Sequence, residues 1–428
     1  MYLRGNKWTM TRRTGKRPSL WRIMLLIVLI GAGLYVNQVV VPATPPLFIP
    51  TATPTHSPES FVNQAEELYK AGKLSQAIEA YKQAIITDPD NASNYVALAR
   101  LQVFNGQYEE AVVNAQNAQL KNQNNPLAIA VEGWALGFLE NYGLAEEKIR
   151  QALSLDPNSA LAHAYYAEIL ISQQDYTLYD KAIEESRKAV QLDNTALESH
   201  RARGMVLSNT DNLEEAIAEF KAAIAINKNI ADLHLYLGVA YKLQEEYDLA
   251  QESLLAAYAL NPKDTVSLTE LSRSYFAAGR FAQASQYADE AVRVDPTNPR
   301  LHGNLGVMYY KSEDFAKAIP ELALAVRGGK TADGELVEGL ALAYDQRIME
   351  YYWYYGFALA RSGFCNEAVA VFQALLTGVP NDEIAVFNAN AGLEICKQNL
   401  SGSPATDTPT ESTPNETEEP EAEATSTP

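Results

Sequence analysis

Alanine recurs every 34 residues along most of this chain, as Ala77, Ala111, Ala145, Ala182, Ala216, Ala250, Ala284, Ala318 and Ala368. A second column lies seven residues later at Ala84, Ala118, Ala152, Ala189, Ala223, Ala257, Ala291 and Ala325, with Leu375 in the ninth unit. A third column, of small residues, precedes the first by twelve: Ala65, Ala99, Gly133, Gly204, Gly238, Ser272, Gly306 and Gly356, with Ala167 fifteen before. Such a period signals a stack of small supersecondary units rather than one compact core. Small side chains at fixed helical offsets let paired helices come within about 8–10 Å of each other.

Each unit reads as two amphipathic helices and a short turn. In residues 126–159 apolar residues step by three and four through both halves, and residues 141–143 interrupt them. Pro89, Pro157, Pro262, Pro296 and Pro380 close their units, because proline lacks an N–H and its ring clashes with a continuing helix.

This pattern resembles the tetratricopeptide repeat family, with its small residue at position 8, alanines at 20 and 27 and proline at 32. The resemblance covers repeats 58–91, 92–125, 126–159, 160–196, 197–230, 231–264, 265–298, 299–332 and 349–382, an insertion at 333–348 and a capping helix at 383–398. Gln123, Asn194 and Lys228 replace the closing proline, and Leu375 the second alanine. The implied fold is all-α, a right-handed superhelical solenoid of about nine helix-turn-helix repeats. Such a stack has a long concave face.

The resemblance further implies that first-helix positions line this groove for peptides or partner proteins. Those positions are Val96, Arg100, Phe104, Trp134, Phe138, Ile171, Arg201, Arg273, Phe276, Tyr310, Trp353 and Phe357. Packing against neighbouring helices is the other role open to these rings, since Trp and Phe are mostly buried. Some relatives clamp a C-terminal carboxylate with lysines and asparagines, but the corresponding Val62, Glu66, Val96 and Ala130 do not offer that chemistry.

Two breaks interrupt the period. Three extra residues fall in the fourth repeat, at 173–179, and read as a longer turn. Sixteen more fall within 328–348 and read either as an extra packed turn or as a docking element folded on the groove. Directly after them stand Tyr351, Tyr352, Trp353, Tyr354 and Tyr355. Consecutive helical side chains are about 100° apart, so no single face can bury all five.

The repeats are flanked by different material. Residues 23–41 contain no charge and approach the roughly 20 residues that cross a hydrocarbon core. Seven positive charges and no acid occupy residues 1–22, so the positive-inside bias places the N-terminus in the cytoplasm and the repeats outside it. A single-pass anchor is the expectation, and a cleaved signal peptide the competing reading. Residues 42–57 are rich in proline and threonine and form a spacer. Residues 399–428 are polar and acidic and read as disordered.

Charge and motifs narrow the function. The ends carry +7 and −7 and cancel, so the formal charge of −19 belongs to the middle, which repels phosphate backbones and argues against nucleic acid. The glycine needed five residues before Gly329, in the segment Gly329, Lys330 and Thr331, is Leu324, so no phosphate-binding loop is read there. No H-E-x-x-H, C-x-x-C or G-x-S-x-G occurs. His163, His200, His234 and His302 share position 4 of their repeats, a spacing too wide for one metal ion, and read as structural. No catalytic residue, cofactor or metal is expected. Cys365 and Cys396 fall close in register, and export would let them pair. The expected function is a membrane-anchored scaffold for protein partners. Alternatives are a regulatory or substrate-presenting subunit of an envelope enzyme complex, such as one of glycan or cell-wall synthesis, or a carbohydrate-binding solenoid.

Overall fold

The computed structural model describes residues 19–40 and 57–401. Most of the basic N-terminus, the linker and the acidic tail lie outside the described residues. The described residues belong to two separate units, divided after Ser57. In the first, helix α1 (Leu20–Tyr35) continues into a π-helical turn, Val36–Val40. Residues Leu20–Gln38 have a mean hydropathy of 1.9, and by length and composition this helix suffices to cross a membrane.

The second unit is an array of helical pairs. They are α2 (Pro58–Lys70) with α3 (Leu74–Thr87), α4 (Ala92–Phe104) with α5 (Tyr108–Lys121), α6 (Pro126–Phe138) with α7 (Tyr142–Leu155), and α8 (Ala160–Ser172) with α9 (Tyr179–Leu192). Next come α10 (Leu197–Asn209) with α11 (Leu213–Ile226), α12 (Ala231–Leu243) with α13 (Tyr247–Leu260), and α14 (Thr265–Ala277) with α15 (Phe281–Val294). The last pairs are α16 (Pro299–Lys311) with α17 (Phe315–Arg327) and α18 (Gln346–Arg361) with α19 (Cys365–Gly378), followed by a single helix, α20 (Glu383–Ser401).

Local chemistry sets these boundaries. Asn91, Asn125, Asp264 and Asn298 each accept a backbone N–H from the first turn of the helix that follows, satisfying donors a helix start leaves orphaned. Between the helices of every pair one residue has left-handed backbone. It is Gly72, Gly106, Gly279 or Gly363 in four pairs, and Glu140, Gln174, Asp211, Glu245 or Glu313 in the other five. The alanine columns are buried at the helix contacts. The small-residue column is where each pair closes: a Cβ on Gly306 would lie 2.5 Å from Leu322, and one on Gly356 2.5 Å from Phe372.

The four histidines knit successive repeats. Each ring's Nε2 meets the carbonyl six residues earlier: Pro157 at 3.0 Å, Asn194 at 2.8 Å, Lys228 at 2.8 Å and Pro296 at 2.9 Å. Nδ1 of His163, His200 and His302 meets Glu185, Glu219 and Glu321. Among the described residues no cluster of His, Cys, Asp or Glu is placed to hold a metal.

The first insertion is a single 3-10 turn, Tyr176–Leu178. The second forms a short hairpin, β1 (Gly329–Lys330) antiparallel to β2 (Leu336–Val337), and then an extended strap. Leu340 N–H donates to Ala325 O at 2.8 Å, and Tyr352 OH donates to Leu340 O at 2.9 Å, so the strap packs on α17 and α18. Helix α18 then starts at Gln346, earlier than the repeat register requires, with Asp345 accepting from Arg347 and Ile348 N–H. The strap resolves the crowding of aromatics: Tyr352 lies half-buried beneath it, while Tyr351, Trp353, Tyr354 and Tyr355 are buried elsewhere. The ring of Tyr351 fits because Gly303 has no Cβ, which would sit 2.6 Å away.

Candidate functional site

The first helices of the pairs form the inner face, and in the first five pairs that face is folded in on itself. Asn227 Nδ2 donates to Tyr69 O at 3.3 Å and Asn229 Nδ2 to Lys70 O at 2.7 Å, across 158 and 159 residues. Arg100 pairs with Glu198, and no room exists for a Cβ on Gly72 beside Asn229. A solenoid whose first pair touches the end of its fifth has come round on itself; its own side chains fill the middle, leaving a cavity of about 270 Å³ beside Glu66, Tyr81 and Arg100 and one of about 320 Å³ by Gly72, Asn229 and Asp232.

Trp134 sits at the centre of that filling, 1% exposed. It stacks on Tyr165 with ring centroids 4.2 Å apart and meets Phe104 edge-on at 5.3 Å. Arg201 is fully buried, binding both oxygens of Glu168, and Trp134 Nε1 donates to the same carboxylate at 2.6 Å. Its guanidinium lies 5.2 Å, 5.0 Å and 6.0 Å from the rings of Phe104, Trp134 and Phe138. Of the roles open to these groove positions, Trp134 and Arg201 take up packing in the interior of the turn, and Phe104 is buried beside them while also bordering two cavities. Val96 and Ile171 are buried likewise, and Phe138 is half-buried. At the rim, Asp232 stands 3.8 Å from Arg201 Nη1, and burial raises its carboxyl to about 6 against the pull of that cation.

The later pairs leave a cavity of about 300 Å³. Its walls come from α12 (Lys242), α13 (Tyr247), α14 (Arg273, Phe276, Ala277), α16 (Asn304, Val307, Met308) and α18 (Arg347, Glu350, Tyr351). Glu270 holds Lys242 with one oxygen and Arg273 Nη1 with the other at 2.7 Å. Burial would raise the Glu270 carboxyl, but these two cations outweigh it and hold it low. Arg273 Nε is buried without a partner among the described residues. Arg347 Nη1 donates to Glu350 at 2.8 Å.

Arg273 and Phe276, both anticipated, line this cavity. Tyr310 and Phe357 are half-buried beside Tyr354 and do not line it, and Trp353 is buried. Lys242 and Glu350 stand in register, at first-helix positions 12 and 2 of their repeats, though neither is among the residues singled out above, and Arg347 alone escapes the family register. Arg347 belongs to the extra helical turn that follows the insertion, a position no other repeat possesses. Cys365 and Cys396 are both buried thiols, with Cys396 Sγ 4.0 Å from Cys365 O. Burial and the neighbouring Cys365 raise the Cys396 thiol to about 12.

Comparison with known proteins agrees with this architecture. Tetratricopeptide repeat profiles match residues 68–133, 131–196, 201–265 and 269–334. The chain is 27% identical over 212 residues to the type IV pilus assembly protein PilF of Pseudomonas aeruginosa, covering 49% of this chain and 69% of that protein. It is 22% identical over 220 residues to anaphase-promoting complex subunit 3 of Schizosaccharomyces pombe, covering 49% of this chain but only 31% of that subunit. The crystal structure of the APC/C hetero-tetramer Cut9-Hcn1 aligns with a TM-score of 0.46 at 16% identity, over 57% of this chain and 48% of that one. Proteins of this kind are generally non-catalytic scaffolds that bind other proteins. With its repeats matched over more than half its length, the chain belongs to the tetratricopeptide repeat family.

Proposed function

We propose that this chain is a membrane-held scaffold without chemistry of its own, binding segments of other proteins along the inner face of its sixth to ninth pairs. The observation that carries the reading is the cavity of about 300 Å³ on that face, where four pairs contribute side chains that the array itself leaves room around. Relatives named as a pilus assembly protein and as a subunit of the anaphase-promoting complex support the same class of role.

The membrane part rests on sequence and on α1. Six positive charges precede the apolar helix and a seventh, Arg22, lies in its first turn, so the positive-inside bias orients the repeats away from the cytoplasm. Protease added to intact cells tests this directly: digestion of the array supports it, and full protection until lysis overturns it. For the scaffold role, proximity labelling from a tag after the C-terminal tail in native membranes is the test. A small recurrent set of proteins is the expected result; enrichment no greater than with a tag on an unrelated anchor would overturn it.

A further inference from the structure

The open cavity has a charge that its surroundings do not. Residues 23–400 carry 27 basic and 46 acidic side chains, so a chance pocket on this body should be negative. Instead three cations converge, Lys242, Arg273 and Arg347, against two carboxylates, Glu270 and Glu350. Glu270 serves both Lys242 and Arg273, one oxygen each. Glu350 pairs with Arg347, three residues away in the same helix, in a partly exposed contact that contributes little and exchanges readily, and its charge also reaches Lys311. Apolar wall comes from Phe276 and Tyr247.

We propose that this cavity receives an acidic side chain of an extended segment in a partner protein, its carboxylate held by Lys242, Arg273 and Arg347 while an adjacent apolar residue rests on Phe276 and Tyr247. The inference depends on the reading of this face as protein-binding and gives it a chemistry. A third carboxylate, the partner's, balances the surplus charge, and low-dielectric walls strengthen each charge-assisted bond it makes. The insertion acquires a purpose as well: by starting α18 early it delivers Arg347, the one cation of the three that the repeat pattern cannot supply.

The test selects phage-displayed random dodecapeptides on the full chain in detergent micelles. It then measures one selected peptide and its Glu→Gln counterpart by fluorescence anisotropy against the wild type, Arg347→Gln and Arg347→Lys. Selected peptides should carry Asp or Glu beside an aromatic or aliphatic residue. The Gln peptide and the Arg347→Gln protein should each bind about tenfold more weakly, whereas Arg347→Lys should keep most of the affinity. Selection without acidic bias, or equal affinity for the two peptides, overturns the pocket chemistry and leaves the scaffold reading standing. No selection above bare micelles overturns both. Should Arg347→Gln lower the melting temperature, the two peptides compared on the wild type decide alone.

Discussion

Arg201 donates two parallel hydrogen bonds to Glu168, Nε to Oε1 at 2.9 Å and Nη2 to Oε2 at 2.6 Å, between side chains 1% and 3% exposed. The pair belongs to neighbouring first helices, α8 and α10, and it closes the interior of the first superhelical turn. Breaking one half strands a charge in a dry site. Arg201→Met or Glu168→Leu alone should therefore destabilise the array by about 3–5 kcal/mol, while the double variant should recover much of that loss. A double-mutant cycle in urea measures it, and additive losses would show that the pair is not coupled.

The left-handed turn residues give a stabilising series. A non-glycine residue in that conformation costs about 1–2 kcal/mol, and glycine returns about 0.5–1 of this through its looser unfolded state. Glu140→Gly, Glu245→Gly and Glu313→Gly should thus each gain roughly 0.5–1 kcal/mol, and Gly106→Ala and Gly279→Ala should each lose a comparable amount. Thermal melts of the five variants check the signs.

Much of this architecture is legible in the sequence because the repeat repeats its physics. Alanine columns mark contacts with room for little more than a Cβ and glycine those with room for none, and the shared position of the four histidines marks them as structural, although their ties to the preceding repeat are seen only in the fold. The superhelical closure is not legible. It follows from small rotations accumulated over five pairs, which no single repeat encodes, so Trp134 and Arg201 read as groove residues until Asn229 is seen against Lys70. The cavity is half legible: Arg273 and Phe276 follow from register, but Arg347 depends on where the insertion lets α18 begin.

The histidine ties make stability depend on pH. Glu219 holds His200 above its usual range through a hydrogen bond; for His302 burial pulls the other way, but the bond to Glu321 prevails. A raised folded value means the imidazolium is favoured by folding. The contribution is complete below about pH 6.5, the ordinary histidine value, and is lost as pH rises through the folded ones. Melting temperature should fall as pH rises above about 6.5, and His200→Gln with His302→Gln should flatten that slope. Asp232 adds the same sign at lower pH, its neutral form being favoured by folding from about 3.8 up to about 6. Asp232→Asn should remove that part; because its side chain is 36% exposed, solvent keeps the effect small.

Cys365 and Cys396 test the array's compartment. They join the start of α19 to the far part of α20, with their thiols buried side by side, so a bond between them would tie the last helix to the ninth pair. Burial and the second sulfur hold Cys396 protonated at neutral pH, and only a thiolate is an effective nucleophile. Reduced native protein should therefore resist N-ethylmaleimide at pH 7 and take up two equivalents once unfolded. Oxidising surroundings favour a bond between adjacent thiols, whereas cytoplasm keeps them reduced. If the repeats lie outside the cytoplasm, chain isolated from its own membrane under acid quench should show no maleimide uptake on unfolding until a reductant is added. Uptake of two equivalents without reductant would place the array in a reducing compartment and contradict the topology drawn from the N-terminal charges.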